Sequence, residues 1–125
     1  MDYINANLEN EVLEATPYRL TQMLFERFIQ LLNMGKHYID KKDYANKSKS
    51  INKAIDIAKY LRLTLNSDDQ KTKVLSSHLE TVYLFAEQQL LKASINNDKV
   101  IIDNVLENIL KIKSSWDEMG KKING

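Results

Sequence analysis

A chain of 125 residues, 43% of them hydrophobic, is long enough to form one domain with its own core. It has no cysteine, which excludes disulfide scaffolds, cysteine-ligated zinc and thiol catalysis. Eighteen basic side chains against seventeen acidic ones leave a formal charge of +1 with the signs interleaved, not the basic stripe of a nucleic-acid binder.

Residues 1–14 stand apart from the rest of the chain. The opening Met1-Asp2-Tyr3-Ile4-Asn5 has neither the cationic start nor the apolar run of a secretion signal, and the longest apolar run anywhere is Val82 to Ala86. A cytoplasmic, soluble protein is expected, with no direct membrane insertion. Ile4, Leu8 and Val12 are spaced by four and would share one face of a helix, but so short a helix is marginal in water unless it docks. It either extends the domain formed by 15–125 or lies as a detachable arm in a groove.

From Pro17 to Gly120 the chain holds one internal glycine, Gly35, and no further proline. Such a stretch carries almost nothing that breaks a helix. Pro17 suits a first helical position with Thr16 as its cap, and Gly120 is expected just past a last turn. The first helix runs from about Pro17 to Ile39. Leu20, Leu24, Phe28, Leu31, Gly35 and Tyr38 form one stripe, with Phe25, Ile29, Leu32 and Ile39 beside it, so this helix is apolar over a wide arc. Asp40-Lys41-Lys42-Asp43 interrupts the pattern, and Asp43 can cap a second helix with Ile51, Ala54, Ile55, Ala58, Leu61 and Leu65 on its inner face.

Asn66 to Asp69 form the next turn. Ser67 with Gln70 fits a capping box, and Asp68 and Asp69 lie where a first turn favours negative charge. The third helix carries Leu75, Leu79, Val82, Ala86, Leu90 and Ala93 and yields around Ser94 to Asp98. In the fourth, Ile102, Val105, Ile109, Ile112, Trp116 and Met119 alternate steps of three and four. Short connections between helices of similar length imply antiparallel neighbours. The expected fold is all-α, an antiparallel four-helix bundle preceded by a short N-terminal helical arm.

Catalytic signatures are missing. His37 and His78 lie on different helices, and Met34 and Leu75 occupy the positions three residues earlier where a bundle metal site would place glutamate. Three glycines in the whole chain cannot build a phosphate cradle, and Asp68-Asp69 lacks the spacing of a calcium loop. No enzyme, metal or cofactor is expected. The paired stripes of the first helix, with Tyr18, Tyr60, Tyr83 and Phe85, offer more apolar area than one bundle seam needs. Grooves for an amphipathic partner and homo-oligomerisation are two uses of that area, and periodicity does not choose between them.

The order of residues adds a resemblance. Ala15-Thr16-Pro17-Tyr18-Arg19-Leu20-Thr21-Gln22-Met23-Leu24-Phe25 resembles the A-S-P-x-x-L-x-x-M-L-(Y/F) opening of the FliS family of flagellin-specific export chaperones. Ile51 to Ile57 looks like the Lys-Ala-x-x-Ile segment of its second helix. Tyr83 with Leu90, Leu91, Ala93, Asn97 and Asp98 is similar to its Tyr…Leu…Ala-Asn…Asp stretch, and Ile112 to Trp116 matches its closing tryptophan. Departures are Glu26-Arg27 where the family often has Asp-Gly, Ser94 after Ala93, Val82 before Tyr83, and no Gly-Gly between the second and third helices.

The resemblance implies a chaperone that holds the disordered C-terminal segment of flagellin, prevents premature polymerisation and presents the client to the export gate. On that reading the client grooves lie between helices and draw on Ile51, Ile55, Leu61, Leu79, Tyr83, Leu90 and Ile109. Tyr3, Ile4, Leu8 and Val12 would form the cap of a client groove, with Tyr3 also read by the export gate. The free protein is expected to be a monomer or weak homodimer. The alternative is a self-associating helical-bundle structural or regulatory protein without a flagellin client.

Overall fold

The computed structural model describes the backbone of residues 16–65 and 70–124 and the side chains of 16–65 and 75–121. The N-terminal arm, the Ser67/Gln70 capping box and Asp68-Asp69 fall outside the described residues. The described chain forms four helices and no strand: α1 (Pro17–Asp40), α2 (Tyr44–Leu63), α3 (Gln70–Asn96) and α4 (Lys99–Asn124).

Local chemistry sets where each helix begins. The Thr16 hydroxyl accepts from the Arg19 N–H at 3.2 Å, and Pro17 follows at a position that needs no N–H. Asp43 accepts from the Asn46 N–H at 3.3 Å and so opens α2. Asp98 accepts from the N–H groups of Val100 and Ile101 at 3.0 and 3.3 Å and opens α4. Two tight reversals need a left-handed residue. Lys42 (φ 58°) turns α1 into α2, with the Asp43 N–H donating back to the Tyr38 carbonyl, and Asn97 (φ 53°) turns α3 into α4.

Each helix packs on two others, in the ring α1–α2–α3–α4–α1. The end contacts fix the sense. Tyr18 at the start of α1 stacks on Trp116 near the end of α4, while Lys36 and Asp40 at the far end of α1 pair with Asp103 and Lys99 at the start of α4. Neighbours are therefore antiparallel, as expected of an up-down bundle.

The core runs the length of the ring. Phe25, Phe28, Leu31 and Leu32 from α1 meet Ile51, Ala54 and Ile57 from α2, Leu90 and Ala93 from α3, and Ile102 from α4, all close to fully buried. Gly35 lets α1 and α2 approach closely, since a Cβ there would sit 3.0 Å from Ile51 Cγ1. Ile57, absent from the expected inner stripe of α2, is fully buried.

Three sequence expectations need correction. Gly120 does not end α4; the helix continues to Asn124, and Gly120 is buried where a Cβ would lie 1.9 Å from the Tyr18 hydroxyl. The glycine answers a close approach, not a turn. The wide apolar arc of α1 is consumed by the core: Phe25 and Leu32 are buried, Ile29 and Ile39 are half-buried, and no large apolar side chain of α1 is exposed. Leu75 and Met119, expected on inner faces, stay exposed near one end of the bundle.

Candidate functional site

Apolar side chains left exposed lie on α2, at Tyr44, Tyr60 and Leu63, and on α3 and α4. Between α3 and α4 runs a shallow groove lined by Val82, Phe85 and Ala86 from α3 and by Val105, Asn108 and Ile109 from α4. Its empty space, part of it open to solvent, is about 220 Å³. Helical spacing builds it. Val82, Phe85 and Ala86 fall at i, i+3 and i+4, and Val105, Asn108 and Ile109 repeat the same steps on the antiparallel neighbour, so two short ledges face each other. On α4 the row extends through the half-buried Ile101 and Ile112, which pack at the margin of the core.

Phe85 is the prominent member, with 48% of its surface exposed although it is an aromatic residue on a packed helix. Covering such a ring releases on the order of 1 kcal/mol or more. Asn108 is the one polar lining residue, and its amide can fix the register of a helix or strand laid in the groove. The arrangement offers apolar contact and no reactive group.

The other flank of α3 differs. Glu87 receives a bidentate hydrogen bond from Arg62 of α2, at 2.6 Å from Nε and 3.2 Å from a terminal nitrogen. That bond to the carboxylate is the main reason the guanidinium titrates above its ordinary range. The buried Lys47 of α2 donates to the Ser94 carbonyl at 2.7 Å, and the Tyr44 ring lies 5.5 Å from its ammonium. A cation at the closing turn of α3 suits the negative end of the helix dipole. This flank is pinned by charge.

The residues expected to form client grooves separate into three groups. Ile51, Leu61, Tyr83 and Leu90 are buried and belong to the core cluster, so in this conformation they offer no surface to a partner. Burial pushes the Tyr83 phenol up to about 12, and it stays neutral. Ile55 and Leu79 are half-buried at the edge of the core. Ile109 is buried but lines the floor of the α3/α4 groove. Tyr3, Ile4, Leu8 and Val12 lie outside the described residues.

Sequence reasoning counted Phe85 among the surplus apolar residues but did not assign it to the client grooves, and it missed Asn108 altogether. The available signal was an aromatic residue one step off an inner stripe, next to Ala86. His37 and His78 are both exposed, and among the described residues no group of three or more histidines or carboxylates could hold a metal. Among them, too, no helix is long and apolar enough to cross a membrane.

Comparison with known proteins places this bundle. A family model described as flagellar protein FliS matches residues 1–123. The chain is 30% identical over 117 residues to the flagellar secretion chaperone FliS of Vibrio cholerae, covering 94% of this chain and 85% of the relative. It is 30% identical over 115 residues to the flagellar secretion chaperone FliSB of Pseudomonas aeruginosa, covering 92% and 90%. Against FliS of Bacillus subtilis the identity is 26% over 110 residues, covering 88% and 80%. With the match running across all four helices to within one residue of the end of α4, and apolar contact in place of reactive groups at the groove, the chain belongs to the FliS family, whose members are flagellar secretion chaperones and not enzymes.

Proposed function

We propose that this flagellar export chaperone acts in the cytoplasm on flagellin, holding its disordered C-terminal segment, blocking premature polymerisation and promoting secretion through the export gate. The observation that carries the reading is the shallow apolar α3/α4 groove with its exposed Phe85, beside α1/α4 and α2/α3 seams that are held by polar side-chain pairs. A disordered client loses conformational entropy when it folds on binding, so its affinity must come from apolar faces laid into preformed grooves. Of the sequence-predicted residues, Ile109 lines this groove, while Ile55 and Leu79 stand half-buried at the edge of the core.

The arm enters the same reading. Ile4, Leu8 and Val12 have the spacing of a short amphipathic helix, and the arm that they and Tyr3 belong to competes with client for the groove. Removing residues 1–14 then tightens client binding or leaves it unchanged; a large loss of affinity would make the arm part of the site.

The deciding experiment is isothermal titration of the chain with a peptide of about the last 40 residues of flagellin from the same cell, a length typical of segments that fold on binding. One-to-one saturation with a negative heat-capacity change is expected. Absence of binding, with the arm present and with it removed, together with a dimer by light scattering, would favour the self-associating bundle.

A further inference from the structure

The cations of this bundle are unevenly matched. On α1 and α4, Lys36 pairs with Asp103, Lys99 with Asp40, Lys113 with Asp117 and Lys111 with Glu107. On α2, Lys47 and Arg62 point toward α3 and are engaged there. Lys49, Lys53 and Lys59, with Lys41 and Lys42 just before the helix, make no ion pair among the described residues. Only one acid, Asp56, lies within α2 to offset them.

The row Lys49–Lys53–Asp56–Tyr60–Leu63 follows steps of four, three, four and three, so it forms one continuous face about 21 Å long, exposed at every position but the half-buried Lys53. Its far end is apolar: Tyr60 is 38% exposed and Leu63 68%. Unmatched lysines at one end and bare apolar side chains at the other make the complement of an amphipathic surface with negative charge.

We propose that the outer face of α2 docks an acidic helical segment of a partner polypeptide, its carboxylates over Lys49 and Lys53 and its apolar side chains over Tyr60 and Leu63. Three observations favour a polypeptide over a polyanion. Lys49 and Lys53 stand four residues apart, about 6 Å, which matches carboxylates at i and i+4 on a facing helix. The face presents lysines only, whereas phosphate recognition favours the planar fork of arginine, and the one arginine of α2 is held by Glu87. The chain as a whole carries only +1, too little to hold a long anion by charge alone. Because α2 packs on α1 and α3 and lies across the ring from α4, this face is separate from the α3/α4 groove. The acidic partner and the groove's occupant can be bound together.

The test uses the full chain and a fluorescent helix-forming peptide with glutamates at i and i+4 beside leucines, read by anisotropy. Binding is expected to weaken by about tenfold or more in K49E/K53E, and to weaken as salt shortens the screening length. It should persist in Phe85→Asp, which disables the groove, so that failure here and failure of the flagellin reading are told apart. K49Q/K53Q serves if the charge-reversed protein loses helicity. Equal binding of a peptide with glutamine in place of glutamate would overturn the proposal, as would indifference to both lysine pairs. Tighter binding of phosphatidylglycerol vesicles or duplex DNA would reassign the face to a membrane or a nucleic acid. Binding that emerges only after removal of residues 1–14, which carry Asp2, Glu9, Glu11 and Glu14, would show that the chain covers this face itself.

Discussion

Helix α4 meets α1 along one flank and α3 along the other, and the two seams are closed by different means. Toward α1, Tyr18 stacks on Trp116 with ring centres 5.4 Å apart, its hydroxyl donates to the Trp116 carbonyl at 2.9 Å, and the indole N–H donates back to the Tyr18 carbonyl at 3.2 Å. Gln22 donates to Asp117 at 2.6 Å, and Lys36–Asp103 and Lys99–Asp40 close the opposite end. Toward α3 the groove has Asn108 as its one polar lining residue and apolar side chains around it. Polar locks suit a seam that stays shut. They would oppose exchange of a partner, because each docking event would have to strip water from them.

The division between core and groove is tested most severely at Leu90, a residue the sequence marked for client contact and the fold buries completely. Leu90→Ala is expected to destabilise the bundle by about 2–5 kcal/mol in urea or thermal unfolding. Normal stability with weakened client binding would move Leu90 to the groove and collapse the distinction. Phe85→Asp is the converse change. It should lower client-peptide affinity by roughly 30- to 100-fold, about 2–3 kcal/mol, with little effect on the melting temperature. If it unfolds the protein, the α3/α4 seam is structural after all.

The sealed seam has its own weak point. Gly120→Ala places a methyl group against the Tyr18 ring, and the expected loss is about 1–3 kcal/mol of stability with client affinity unchanged in folded protein. Truncating the ring should abolish the penalty, so Tyr18→Ala with Gly120→Ala is expected to be no less stable than Tyr18→Ala alone. A full penalty in both backgrounds would place the cost in the helix backbone instead of in the close approach.

Much of the fold was legible because helix signals are local. Thr16, Pro17 and Asp43 act within one turn of where they stand, and the three-four spacing of Ile102, Val105 and Ile109 needs no knowledge of its neighbours. Gly120 misled for the same reason: glycine usually marks a helix end, and only the arrival of Tyr18 from the far side of the chain requires it inside one. Leu90 and Phe85 show why the groove was harder to read. Both are apolar residues on one helix, pointing about 140° apart around its axis, so the helix is apolar in more than one direction. Which of those directions is buried is set by where α2 and α4 pack, a pairwise fact that the periodicity of α3 alone does not contain.

The smallest expected effect concerns acid, and it separates the two seams once more. Asp117 receives hydrogen bonds from the Lys113 ammonium and the Gln22 amide, each at 2.6 Å, and these donors, Lys113 first, hold its carboxyl below the ordinary carboxylate range. Asp40 is lowered in the same sense by Lys99. A carboxyl whose folded pKa lies below its unfolded value near 4 stabilises fully above that pH, and the contribution is lost as pH falls through the folded value. Unfolding followed from pH 6 down to about 2 should therefore show a shallower acid slope in Asp117→Asn than in the parent, with a shallower one still when Asp40→Asn is added. An unchanged slope would mean that these locks on the α1 seam do not tighten on folding. The α3/α4 groove lining holds no titratable group, so client affinity should stay level across the part of that range in which the bundle remains folded.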